Sequence, residues 1–330
     1  MSKNVFSESI LKYSGMKKFI FDMKSFFTEI KNSSFLTEDE EATAKLIIII
    51  NIMNRFMSIL YQRILMNILF IGDIVGKPGR KMVKKFLQPL KEEFEIDYVI
   101  ANYENAAHGF GITQKVYDEL KNAGIDIFTG GNHSFDKKKD ALQLLEDKKI
   151  LRPLNYFEAP GEWYYEDENI VVVSAMGVFA MPYGKNPFIE LNEFVNAKKE
   201  KFVFIDFHAE ATAEKRAMFL MLKGRAGAVI GTHTHIGTDD LEISEGTCYL
   251  TDIGLCGCRD NVIGMEEKAP IKNMLTGMKH HFDVKEKCKK IFQAVYIKTS
   301  GTKAVEALKV KGYENGELTV SQKIKADDGV

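Results

Sequence analysis

The stretch MNILFIGDIVGKPGRKMVKKFLQPL, residues 66–90, decides the fold. Residues 66–71 are almost unbroken apolar sequence, the pattern of a strand buried on both faces. Gly72-Asp73 closes the run with a turn residue and a carboxylate. Pro78 then suits the first turn of a helix, and Met82, Val83, Phe86, Leu87 and Leu90 recur at helical spacing within residues 80–94. A strand that ends in an acid and runs into an amphipathic helix is the opening unit of an α/β fold with a largely parallel sheet. In such sheets ligands bind beyond the carboxyl ends of the strands, so Asp73 stands where chemistry is expected.

The same grammar repeats outward from this unit. YVIANYEN (98–105), IDIFTGGNH (125–133), FVFIDFH (202–208) and AVIGTHTH (228–235) each end an apolar run in polar residues. Helices are expected over 114–123, with Thr113 as N-cap and Gly124 as stop, over 135–147, and over 212–223. Further strands are read in NIVVVSAMG (169–177), GTCYLTDIG (246–254), FQAVYIKT (292–299), AVEALKVKG (304–312) and ELTVSQK (317–323). This strand-rich second half implies a second, mixed or antiparallel sheet packed on the first. The expected architecture is a four-layer αββα sandwich. Residues 177–196 fit neither period and are left as a lid, a subdomain or an oligomer contact, so homo-oligomerisation stays open.

Composition excludes several classes. Of 330 residues, 45% are hydrophobic and 28% charged, ordinary for a globular chain. A formal net charge of −1 gives no basic field, so no stable nucleic-acid binding is expected. Residues 1–65 carry no motif, and their apolar run Leu46–Met53 is far shorter than the roughly 20 residues of a spanning helix. This extension reads as an appended leader, with a membrane-peripheral amphipathic anchor as the competing idea. The functional unit is then 66–330, with no membrane span and a cytoplasmic location. The four cysteines, Cys248, Cys256, Cys258 and Cys288, suit a reducing compartment. Cys256 and Cys258 are expected to be free thiols near the mouth of the site. The loop 72–80 is not a P-loop, because only three residues separate Gly72 from Gly76 and Pro78 follows Lys77.

The residues at the strand ends form a donor set. Asp73 and Glu104 offer anionic oxygens, Asn105 and Asn132 amide oxygens, and His208, His233 and His235 imidazole nitrogens. Mixed nitrogen and oxygen donors suit manganese, iron or zinc better than calcium. Two such metals held about 3.5–4 Å apart stabilise the attacking and leaving oxygens at phosphorus. His133, beside Asn132, is placed to protonate a leaving alkoxide, with Asp136 a candidate to orient its ring. His108 is read equally as a loop residue or a substrate contact. Glu210 and Thr212 are candidates to orient ligands, with helix capping an equal reading for Thr212, and Lys77 and Arg80 to meet a phosphate; Tyr183, Asn186 and Phe188 are read first as ordinary loop packing and second as contacts to a base.

These motifs, in this order, resemble the calcineurin-like metallophosphoesterases, although the usual first histidine after Asp73 is missing and Glu104-Asn105 stands in place of G-D-x-x-D. The departures match a narrower group. G-D-I-V-G-K-P-G-R, E-N-A-A, G-N-H, D-F-H-A-E-A-T and G-T-H-T-H resemble the YmdB-like phosphodiesterases over nearly all of 66–330. The resemblance implies two divalent metal ions, iron or manganese first and zinc or magnesium as further candidates. It makes Glu104 the bridging carboxylate. Asp73, Asn105 and His235 would complete one metal, and Asn132, His208 and His233 the other. It also implies a cyclic-nucleotide substrate, 2′,3′-cyclic ones among them, opened to a 3′-phosphate. The implied route is in-line attack by a hydroxide bridging the metals, with His133 as proton donor. A broader nucleotidase or phosphodiesterase, and a regulatory nucleotide sensor with slow turnover, remain the alternatives.

Overall fold

The computed structural model describes residues 65–182 and 184–326. Residues 1–64, and with them the leader and anchor readings, lie outside these, as does Tyr183. Among the described residues no helix is long and apolar enough to cross a membrane.

Two sheets stack face to face. The first holds β1 (Asn67–Ile71), β2 (Asp73–Ile74), β3 (Tyr98–Asn102), β4 (Ile127–Thr129), β11 (Leu255–Cys258), β12 (Lys290–Ser300), β13 (Lys303–Tyr313) and β14 (Leu318–Lys325). Its backbone order is β14-β13-β12-β1-β3-β4, with β11 pairing both β12 and β2. β1, β3 and β4 run parallel, and the β12–β14 meander is antiparallel to its neighbours. The second sheet has the order β5-β6-β7-β8-β10-β9, from β5 (Tyr164–Glu166), β6 (Ile170–Met176), β7 (Phe202–His208), β8 (Ala228–Thr232), β9 (Glu242–Ser244) and β10 (Thr247–Leu250). Helices α1 (Gly76–Glu93), α2 (Gln114–Asn122) and α3 (Lys138–Glu146) accompany the first sheet, and α4 (Pro187–Ala197) and α5 (Thr212–Leu222) the second; α6 (Lys268–Thr276) follows β11.

The alternation of strand residues separates the layers. Ile68 and Phe70 of β1 enter the core between the sheets with Val172, Phe204 and Ile230, and the rings of Phe70 and Phe204 meet edge-on at 5.0 Å. Leu69 and Ile71 face the other way, against Met82, Val83, Phe86 and Leu87 of α1. The outer face of the second sheet packs Val203, Ile205 and Phe207 on Leu191 and Val195 of α4 and Met218, Phe219 and Leu222 of α5. Each of these central strands is therefore apolar on both faces, and the expected αββα sandwich is the observed one.

Three details differ from the sequence reading. α1 starts at Gly76, ahead of Pro78, which keeps its expected place in the first turn. α3 starts at Lys138 rather than 135, because residues 131–136 are spent on turns, with Ser134 N bonded to Gly131 O and Asp136 N to His133 O. Within 177–196 a helix forms from Pro187, with the Asn186 side chain capping Phe188 N at 2.9 Å.

The cysteine reading is corrected. Cys258 and Cys288 form a disulfide across 30 residues of sequence, with their Cα atoms 5.6 Å apart. Folding of the 259–289 segment back onto β11 creates this proximity, which no local spacing announces. Cys256 keeps a free thiol but is fully buried rather than at the site mouth. Its Sγ accepts from Gln293 N at 3.3 Å, and burial pushes the thiol up to about 12.

Candidate metal centre

The parallel strands of both sheets end at one seam, and the polar residues that follow them meet there. From the first sheet, Asp73 opens β2 just after β1, and it is fully buried. Glu104 and Asn105 follow β3. Asn105 Nδ2 donates to Gly109 O at 2.9 Å, which turns its Oδ1 toward His235 Nε2 at 3.2 Å. Asn132 and His133 follow β4, and His133 N donates to Glu104 Oε2 at 2.9 Å. Gly131 precedes them of necessity, since a Cβ there would overlap Glu104 Oε2 and His208 Nε2.

From the second sheet come His208 at the end of β7, and His233 and His235 just past β8. The hydrogen-bond partners fix their tautomers. Thr232 Oγ1 donates to Asp206 Oδ1 at 2.6 Å and therefore accepts from His208 Nδ1 at 3.0 Å. His233 Nε2 lies 3.0 Å from Glu210 Oε2, and His235 Nδ1 lies 2.7 Å from Ile263 O. Each imidazole thus spends one N–H on an oxygen behind it and turns its other nitrogen into the cluster. His233 and His235 adopt φ of 101° and 65°, strained backbone for non-glycine residues and of the kind that clusters at functional sites.

The inward atoms do not satisfy one another. Around His208 Nε2 stand Asn132 Oδ1 at 2.9 Å, His233 Nδ1 at 3.0 Å and Glu104 Oε1 at 3.2 Å. With the Nδ1 proton on Thr232, a neutral His208 turns a lone pair toward these lone pairs, and only a proton or a cation at Nε2 satisfies them. Asp73 Oδ1 is buried with no hydrogen-bond partner at all. Two overlapping groups, Glu104-His208-His233 and Asp73-Glu104-His235, each gather their donor atoms within 4.8 Å, and Glu104 belongs to both.

The charges give the same picture. Burial alone raises both acids and lowers both histidines. It does push Asp73 above the usual carboxylate range. Burial also opposes charge on Glu104, but the charge and hydrogen bond of His208, with His133, hold it down at about 2. Burial opposes protonation of His208, yet Glu104, Asp73 and Asp206 lift it to about 9. His233 is driven to about 3, first by burial and then by His208. The protein atoms by themselves demand positive charge at this point. Divalent cations fit that demand in charge, in donor type and in the orphaned oxygen of Asp73.

His133 stands at the open side, partly exposed, with Nδ1 2.8 Å from Asp136 Oδ2 and its ring edge-on to Phe110 at 5.0 Å. Several other expected contacts have structural employment instead. Arg80 bonds Ala106 O at 2.7 Å and Glu119 at 2.9 Å, tying α1 to α2, and Lys77 pairs with Glu286 at 2.8 Å. Asn186 caps α4, and Phe188 packs on Phe207 with ring centroids 6.1 Å apart. Thr212 opens α5, which starts without a side-chain cap. His108 is exposed at φ 59° in its loop.

Of the supports behind the cluster, the sequence offered Glu210, which stands on His233, but not the others. Asp206 Oδ2 accepts from Thr129 Oγ1 at 2.6 Å and Asn102 Nδ2 at 3.0 Å, while its Oδ1 takes Thr232. Burial pushes Asp206 up to about 6. The signal was present: an aspartate within the apolar run FVFIDFH has to be paired with something. The carbonyl of Ile263 left no signal, because any residue type could supply it.

Two packed sheets with a mixed oxygen and nitrogen cluster at their seam define the class as the metal-dependent phosphoesterases. The family model described as YmdB-like protein matches residues 69–311, and the chain belongs to that family. A Bacillus subtilis relative named 2′,3′-cyclic-nucleotide 2′-phosphodiesterase is 42% identical over 230 residues, covering 67% of this chain and 87% of that protein. The crystal structure of a phosphatase from Mycoplasma pneumoniae superposes with a TM-score of 0.72 at 32% identity, over 76% of this chain and 94% of that one. A protein of Thermus thermophilus described as hypothetical superposes with a TM-score of 0.71 at 36% identity, over 76% of this chain and all (100%) of its own. The chain is an enzyme of the metal-dependent phosphodiesterase class.

Proposed function

We propose that this protein hydrolyses 2′,3′-cyclic nucleotides to nucleoside 3′-phosphates at a two-metal centre. The observation that carries the reading is the sharing of Glu104 between two donor groups, with the His133–Asp136 pair at their open edge. The name of the Bacillus subtilis relative supports the substrate class. Glu104 would serve both cations; Asp73, Asn105 and His235 would hold one, and Asn132, His208 and His233 the other. The mixed donors favour iron or manganese. When bound, such a pair supplies Lewis acidity to the phosphoryl oxygens and an activated water.

The chain's own residues do the rest. Thr232, Glu210 and the Ile263 carbonyl hold the three imidazoles in the tautomers that leave a nitrogen free for metal. His133, protonated, gives its Nε2 proton to the departing ribose 2′-oxygen, and Asp136 at Nδ1 stabilises the positive ring. Protonation there converts an alkoxide leaving group into an alcohol and leaves the phosphate on the 3′-oxygen.

The test is hydrolysis of 2′,3′-cyclic AMP by the manganese-loaded protein, beside 3′,5′-cyclic AMP and a phosphomonoester. The 3′-phosphate should dominate the products. Monoester turnover as fast as that of the cyclic diester would replace this reading with a broad phosphatase. In His133→Ala, kcat is expected to fall about 10²–10⁴-fold with metal content unchanged.

A further inference from the structure

We infer that Lys215 and Asp252, a buried ion pair outside the donor cluster, are positioning residues that hold the His-Thr-His turn in its metal-competent shape. The inference rests on the metal-site reading above.

The turn 233–235 poses a conformational problem. Two of its three residues have positive φ, 101° and 65°, and neither is glycine. Such backbone persists only where its surroundings over-determine it. Two carboxylates grip it. Asp73 Oδ2 accepts from His233 N at 3.2 Å, and Asp252 Oδ2 accepts from Thr234 N at 3.0 Å. The second grip is the better supported. Asp252 Oδ2 also receives Lys215 Nζ at 2.7 Å, and Oδ1 receives Gly254 N at 2.8 Å. Lys215 comes from α5, and both side chains are fully buried. The segment after Asp252 is laced to the turn as well, Ile253 N to Gly231 O at 3.0 Å and Leu255 N to His235 O at 3.2 Å.

Fold stability gives little reason for such a pair. Desolvating two charges costs about as much as their attraction returns, and an apolar pair of similar volume often serves as well. The pair does bring a charged acceptor to the one backbone N–H between the two imidazoles. With the lysine removed, Asp252 keeps only the N–H donors of Gly254 and Thr234 and a buried charge without a counterion, so the grip on Thr234 weakens and both histidines gain freedom to turn out of the cluster.

The test is Mn²⁺ binding, followed by the spin-resonance signal of free Mn²⁺, in the full chain. Wild type should bind about two ions per chain; binding none overturns the site reading, and this inference with it. Lys215→Met should bind at least about tenfold more weakly, the range seen when groups behind metal ligands are removed. Leu222→Ala is the control, since it removes core packing from the same helix without touching Asp252. It should lose stability and keep wild-type affinity. Equal affinities in folded Lys215→Met and Leu222→Ala overturn the positioning role. Where the single variant unfolds, Lys215→Met/Asp252→Asn leaves no unpaired charge, and its amide oxygen can serve only one of Thr234 and Gly254. Weakened Mn²⁺ binding in that folded double variant supports the inference, and unchanged binding overturns it.

Discussion

The two sides of the seam do different chemical jobs. The first sheet delivers oxygens from Asp73, Glu104, Asn105 and Asn132, and the second delivers nitrogens from His208, His233 and His235. The oxygen side carries the negative charge and sits in ordinary backbone. The nitrogen side carries the strain, with positive φ at His233 and His235. Oxygen donors come from short side chains directly after strands, so strand geometry aims them. Imidazoles have two chemically distinct edges, so each needs a partner on its other nitrogen to choose the edge that faces inward. The oxygen side therefore depends on topology, and the nitrogen side on its supporting hydrogen bonds.

The largest effect should come from the residue common to both donor groups. Glu104→Gln removes one of the two carboxylates in the donor groups and should cost more than about a hundredfold in metal affinity, beyond the usual loss from a supporting residue. A calorimetric titration checks it; near-wild-type binding of both ions would break the division of labour.

The next effect concerns the segment that reaches from the oxygen side to His235. The Cys258–Cys288 disulfide closes the stretch containing Ile263, whose carbonyl holds His235 Nδ1. Cys288→Ser should lower stability by about 4 kcal/mol on the loop-entropy account. The denatured, unreduced wild type should show two titratable thiols, Cys248 and Cys256; four would remove the disulfide.

Glu210→Gln tests the nitrogen side gently, since an amide oxygen still accepts from His233 Nε2. A loss of about tenfold or less in metal affinity is expected. A loss as large as that of Glu104→Gln would place Glu210 among the donors.

The smallest effect lies between the sheets. Lys309, fully buried on β13, donates to Thr238 O, and burial followed by Lys311 brings it down to about 8. Its folded value lies below its unfolded one, so the native state binds fewer protons between about pH 8 and the ordinary lysine value near 10.4. Stability relative to Lys309→Met should therefore rise with pH across that window and stay flat above it. Below the window both lysine states are protonated, and the lysine's burial cost is constant. Melting temperatures of both proteins at about pH 7.5 and 10 check the sign.

Much of the fold was legible because it is written locally. Apolar runs such as NILFI and VVV, short, rich in branched residues and bounded by turn residues, read as buried strands, and Thr113 announces its helix by capping Val116 N. That the candidate residues gather at one seam was legible for a related reason: each directly follows or ends such a run. α4 was harder to see. Beyond Pro187, only Leu191 and Val195 of its residues are buried, too few to set a period. Lys77 and Arg80 look like phosphate ligands in sequence, because the acids that engage them, Glu286 and Glu119, are remote in the chain.

The layers and the polar residues offered at the strand ends could be read from short segments, since burial pattern and side-chain chemistry are local properties. Long-range packing sets which oxygens stand behind His208 and His235, that Glu104 lies in both candidate groups, that Cys258 finds Cys288, and that Lys215 reaches Asp252. Those are distances of a few ångströms between residues remote in the chain, or between one side chain and an arbitrary backbone carbonyl. They are set by how two sheets stack and how loops close over their ends.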